Sequence, residues 1–156
     1  MTLGTVIEDP AMLAALLDSL APLDVNVVVA PRSSEDLGVR PIDPTRVCLA
    51  GFVPTSQLLD GTGVVVSSAG AGDLVAALSA AHPMVLLPMG LDKPVNAARA
   101  AEAGAAVVNT YQVGAAVARV LDEPALTRGS AEVARENASM NSADEVLRLL
   151  LRRLAR

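Results

Sequence analysis

VVVSSAGAGDLVAAL, residues 64–78, runs from a β-branched stretch through a turn of small residues into an Ala/Leu-rich segment. The order strand, glycine turn, helix is the basic unit of open parallel sheets, which bind ligands beyond the C-terminal ends of their strands. Small residues at Ser67, Ser68, Ala69, Gly70, Ala71 and Gly72 let a ligand approach the backbone. The N–H groups opening the next helix then offer donors and a partial positive charge. Asp73 follows at once, so a carboxylate stands where an anion would be welcome. The plainer readings are a tight turn for Gly70 and Gly72, capping for Ser67 and Ser68, and for Asp73 a first-turn acid that suits the helix dipole.

Outward from this stretch the pattern repeats. Short apolar runs at residues 25–30, 46–52, 63–67, 84–88 and 105–109 read as strands. Most are continuously apolar, as expected of parallel strands covered on both faces. Helical spacing predicts helices over residues 10–20, 72–81, 96–103, 113–121, 126–138 and 142–154. Asp9-Pro10 is a helix start, Gly104 a C-cap, and Ser142-Ala-Asp-Glu145 a capping box. The alternation predicts an α/β fold, a Rossmann-like three-layer α/β/α sandwich on a parallel sheet. Residues 31–44 form the longest irregular stretch, and Met1 to Thr5 read as the tail of a first strand.

The 156 residues suit a single domain with a full core. The composition is 52% hydrophobic with one Phe, one Tyr and no Trp, so Val, Leu and Ala must fill that core. No apolar run approaches the roughly 20 residues of a membrane span, so no membrane insertion is expected. A net charge of −5 argues against a nucleic-acid partner. The lone Cys48 excludes a disulfide framework and a cysteine-based zinc site, and fits a reducing cytoplasm. The one histidine, His82, reads as structural, and the N-terminus carries no signal-peptide pattern.

Taken together, Gly70-Ala71-Gly72, Ala77-Leu78, Pro83, Pro88, Asp92, Asn96-Ala97 and Glu102-Ala103-Gly104 resemble the signature region of the GT-B glycosyltransferases that move sugars from nucleotide donors onto natural products. Thr2-Leu3-Gly4-Thr5 is similar to the opening strand-turn of that family's C-terminal domain, Gly51-Phe52-Val53-Pro54 to its base-binding turn, and the tail from Met140 to its closing helix. The resemblance covers nearly the whole chain and implies a donor-binding domain. Phe52 and Val53 would hold the base of a UDP- or TDP-sugar, and the glycine turn its pyrophosphate. Asp92 and its neighbour would hold sugar hydroxyls, with Gly4, Thr5 and Asn96 at the same site. It also implies metal-independent transfer with no cofactor beyond the donor.

The chain departs from that pattern in places. The matching stretches leave out the family's N-terminal domain, which carries the acceptor site and general base, so transfer by this chain alone is not expected. Completion would come from a separate acceptor-binding chain; a homodimer belongs to the alternative reading below. Ser68 stands where the family has a phosphate-binding histidine, Ala69 replaces a glycine, Asp73 a hydroxyl residue, and Lys93, the sole lysine, a glutamine. An Asp73–Lys93 ion pair across the cleft is one reading; Lys93 supplying the charge missing at Ser68 is another. The alternative function is a non-catalytic, self-associating module, for which Leu147, Leu150, Leu151 and Leu154 offer an apolar stripe.

Overall fold

The computed structural model describes residues 10–30, 45–50, 53–109 and 112–154. The readings placed on residues 1–9, 31–44, 51 and 52 lie outside this set. Within it the chain runs α1 (Pro10–Leu20), β1 (Val27–Val29), β2 (Val47–Leu49), α2 (Thr55–Leu59), β3 (Val65–Ser67) and α3 (Ala71–Ser79), then β4 (Met84–Leu86), α4 (Lys93–Glu102), β5 (Ala106–Val108), α5 (Val113–Asp122), α6 (Pro124–Ser139) and α7 (Ala143–Leu154).

All strand pairing is parallel. β3, β4 and β5 form one ladder in which Ser67, Leu86 and Val108 stand in register, so the three strands end together. β1 pairs with β2 from Val27–Val47 to Val29–Leu49. Among the described residues the two ladders are not hydrogen-bonded to each other. Between them lies a cavity of about 450 Å³, lined by Val27, Leu58, Val65, Val117 and Leu121 among others. Each strand is shorter than its apolar run, and burial continues past the strand ends, at Leu87 and Ala105.

The period of two along β4 explains the layering. Val85 and Leu87 face a core built with Leu13, Leu16, Leu17 and Leu20 of α1 and Val113, Val117 and Val120 of α5. Met84 and Leu86 face the opposite core, built with Ala77 and Leu78 of α3 and Ala97 and Ala100 of α4. Both faces are therefore covered at β3 and β4, which is why those strands read as unbroken apolar runs, whereas β2 leaves Cys48 and Leu49 exposed. With no aromatic residue in either cluster, helices approach very closely. A Cβ on Gly114 would lie 2.0 Å from the Ser19 carbonyl oxygen, so α5 seats on α1 only through that glycine. Gly129 of α6 meets the Gly104 carbonyl in the same way, at 2.2 Å.

Three elements show what the sequence reading leaves open. No periodicity predicts α2; it is a single short turn-and-a-half behind Pro54 with only Leu59 buried, too short to show a period. α4 starts at Lys93 rather than residue 96, because Asp92 sits at the cap position and Pro94 falls in the first turn, where its missing N–H costs nothing. α7 follows its predicted capping box but buries none of its residues: Leu147, Leu150 and Leu154 are all exposed. No helix among the described residues is long and apolar enough to cross a membrane.

At the start of α7, the Ser142 backbone N–H and hydroxyl donate to Glu145 Oε2 at 2.7 and 2.9 Å, and the Glu145 N–H donates to Ser142 Oγ at 3.3 Å. The backbone bond from Ser142, then its hydroxyl bond, hold the Glu145 carboxyl below the ordinary glutamate range. A carboxyl depressed in the folded state adds stability above its unfolded pKa and loses it as pH falls through the lower folded value. The Glu145 side-chain resonance is therefore expected to titrate below an ordinary glutamate, and Ser142→Ala should raise it only part of the way, because the backbone N–H donor at residue 142 remains. A wild-type midpoint already in the ordinary range would contradict the capping box.

Candidate functional site

The site forms where β3 ends. Ser67 and Ser68 are fully buried. Ser67 Oγ donates to Asp73 Oδ2 at 3.2 Å and accepts the Ala69 N–H at 3.2 Å. Ala69 then takes φ 65°, the left-handed region that disfavours any residue with a Cβ. Its methyl is wholly buried beside Met84 and Ala97. Its carbonyl accepts a hydrogen bond from Asn96 Nδ2 at 3.1 Å, and the same amide group donates to Asp92 Oδ2 at 2.9 Å. Asn96 thus spends both amide hydrogens tying the β3–α3 turn to the start of α4. The sequence does not announce that role; the one-turn offset of Asn96 from Asp92 is its only trace.

Gly70 caps α3 with ordinary extended dihedrals and no side-chain cap bond. The residue that needs the unusual backbone is therefore Ala69, not Gly70 or Gly72. What the glycines contribute is space. A Cβ on Gly72 would meet nothing within 4 Å, and one on Gly70 would meet only Asp73 Oδ2, at 4.0 Å. The N–H groups of the first turn have no acceptor within the helix, and Ala71 and Gly72 are exposed. Asp73 is the third residue of α3, where its charge favours the helix dipole.

Lys93 lies at the first position of α4 rather than on a loop, and it is 6% exposed. Its Nζ makes no hydrogen bond, so the Asp73–Lys93 ion pair is not formed. Asp73 is engaged by Ser67 instead, on the β3 side of the turn. The structure thus brings together Ser67, Ser68, Ala69, Gly70, Ala71, Gly72 and Asp73 from β3–α3 with Asp92, Lys93 and Asn96 from the start of α4. Asp92 is exposed at the α4 cap, and Val53 is half-buried ahead of α2. Gly4, Thr5 and Phe52 lie outside the described residues. His82 is half-buried, and among the described residues no cluster of three His, Cys, Asp or Glu side chains offers a metal site.

Successive parallel strands with helices on both faces, and a glycine-opened helix at their C-terminal edge, define a Rossmann-like domain. Comparison with known proteins agrees. The chain belongs to the family of the erythromycin biosynthesis protein CIII-like C-terminal domain, whose profile matches residues 14–152. It is 32% identical over 155 residues to the UDP-glucosyltransferase avaP of Aspergillus versicolor, covering 92% of this chain and 33% of that protein. It is 31% identical over 138 residues to the 3-alpha-mycarosylerythronolide B desosaminyl transferase of Saccharopolyspora erythraea, covering 85% of this chain and 32% of that protein. Among solved structures, glycosyltransferase VinC in complex with DTDP superposes with a TM-score of 0.84 at 28% identity, over 97% of this chain and 40% of VinC. The chain spans about a third of the length of the curated relatives it matches.

The Asn96 bridge has a measurable weight. Asn96→Ala leaves the Ala69 carbonyl without its donor inside a buried turn, and is expected to destabilise the fold by about 1–2 kcal/mol in denaturant unfolding. An unchanged unfolding midpoint would show that the two elements are held together by packing alone.

Proposed function

We propose that this chain binds a nucleoside-diphosphate sugar of the UDP or TDP type at the mouth formed by the β3–α3 turn and the start of α4. The observation that carries this reading is the N-terminus of α3, without a side-chain cap and with Ala71 and Gly72 exposed, at the C-terminal edge of a parallel sheet. VinC, similar in sequence and fold, is a glycosyltransferase with DTDP bound, which supports the same ligand class here. In this reading the diphosphate lies over the first turn of α3. The base lies toward Val53, and the sugar toward Asp92 and Asn96.

The chemistry of such a site is leaving-group stabilisation. As the bond from the anomeric carbon to the diphosphate oxygen breaks, negative charge grows on the diphosphate. Fixed N–H donors aimed at that charge lower the barrier without reorganising. The acceptor hydroxyl must be positioned and lose its proton to a base, and we assign both tasks to an acceptor-binding half, whether in the same protein or in a separate chain. The exposed leucines of α7 are the surface we assign to that half or to a second copy of this chain. The exposed free Cys48 thiol suits a reducing cytoplasmic setting.

A thermal-unfolding screen tests the reading. At 100 times Kd, UDP, TDP or one of their sugars should stabilise the fold by about 2.7 kcal/mol, a rise of about 5–10 °C in midpoint for a domain of this size. No shift with any of them at millimolar concentration would overturn it.

A further inference from the structure

We propose that Lys93 is the cation of an oxyanion receptor in this mouth, with the Ser68 hydroxyl as its partner donor, and that a phosphate group of the ligand is what both groups bind. The inference rests on the reading that the mouth takes a nucleoside diphosphate, and it assigns the residues that recognise the diphosphate.

Two buried side-chain polar atoms among the described residues lack a hydrogen-bond partner: Lys93 Nζ and Ser68 Oγ. They flank the same junction. Ser68 directly precedes Ala69. Lys93 shares a helical face with Ala97 and Ala100, both buried, and that face packs into the cluster containing Ala69. One turn further along, Asn96 is bonded to the Ala69 carbonyl. The lysine side chain therefore leaves α4 on the side where β3 gives way to α3.

The position of the charge is unfavourable on two separate counts. A buried ammonium with no counter-charge bears an unrecovered loss of hydration. It also sits in the first turn of a helix, beside the positive end of the dipole, where cations are disfavoured. The stem alone does not account for this: a lysine buried only for its methylenes keeps its head in water, whereas here Nζ itself is enclosed. An anion at the junction reverses both terms. It supplies the missing counter-charge and accepts from N–H groups at the start of α3. Phosphate fits because its several acceptor oxygens can take an ammonium, a hydroxyl and helix N–H groups together. Asp73, held by Ser67, stays on the β3 side of the turn and leaves Lys93 to the ligand.

The test uses the full chain and compares wild type with Lys93→Met, Lys93→Gln and Lys93→Arg, probed with inorganic pyrophosphate, thymidine diphosphate and thymidine. The neutral variants should unfold at or above the wild-type midpoint, because a buried unpaired charge is gone. They should bind pyrophosphate and thymidine diphosphate at least tenfold more weakly than wild type. Lys93→Arg should retain most of the binding, and thymidine alone should be insensitive to residue 93. Either neutral variant suffices for the comparison, provided that it folds. Wild-type affinity for thymidine diphosphate in a folded neutral variant would overturn the receptor while leaving the nucleotide reading intact. Lys93-dependent binding of pyrophosphate with no response to UDP or TDP would overturn the nucleotide reading and keep the receptor. Failure of the wild type to bind any of the anions would overturn both.

Discussion

The backbone of one alanine organises the site. Ala69 stands in the left-handed region at φ 65°, a conformation that costs a residue with a Cβ on the order of 1–2 kcal/mol. It is held there from three directions. Ser67 Oγ takes its N–H, Asn96 donates to its carbonyl, and the methyl is fully buried against the α3–α4 core. The left-handed step turns the chain out of β3 so that α3 begins at the edge of the sheet, with its first-turn N–H groups facing outward.

The core makes that arrangement rigid by a choice of small side chains. Both clusters are built from Leu, Val, Met and Ala, so the layers can close without large rings. Gly114 and Gly129 set the contact distances of α5 and α6 because an added methyl at either would overlap backbone. β3, β4 and β5 end in register, which places the start of α3 and the start of α4 side by side. Lys93, at the first position of α4, adds a buried positive group with no hydrogen-bond partner. The acids nearby are already committed: Asp73 to Ser67, and Asp92 to Asn96.

Much of this is legible in the residues, for a physical reason. Strands covered on both faces must be apolar at every position, and helices between them must repeat near 3.6, so the alternation along the chain reports the architecture directly. The Ser142–Glu145 spacing reports its capping box in the same way. What escapes is set by contacts distant in sequence. α2 is too brief to carry a period. The start of α4 is obscured because Pro94 reads as a loop residue until Asp92 is seen as its cap. The expected Asp73–Lys93 pair does not form because a nearer partner, Ser67, is available to the aspartate. Asn96 has no motif that announces a bond to a carbonyl 27 residues away. Ala69 reads as a restriction on the backbone; the compensation for it emerges only when Ser67 and Asn96 are in place.

If the starts of α3 and α4 form one anion-binding mouth, amide chemical-shift mapping during a titration with thymidine diphosphate shows it most directly. Saturable shifts are predicted at Ala71, Gly72 and Lys93, extending to Ser68 and Asn96, with α7 unaffected. Shifts confined to α7 or to the walls of the cavity between β1 and β3, with the α3 amides unmoved, would contradict a shared mouth.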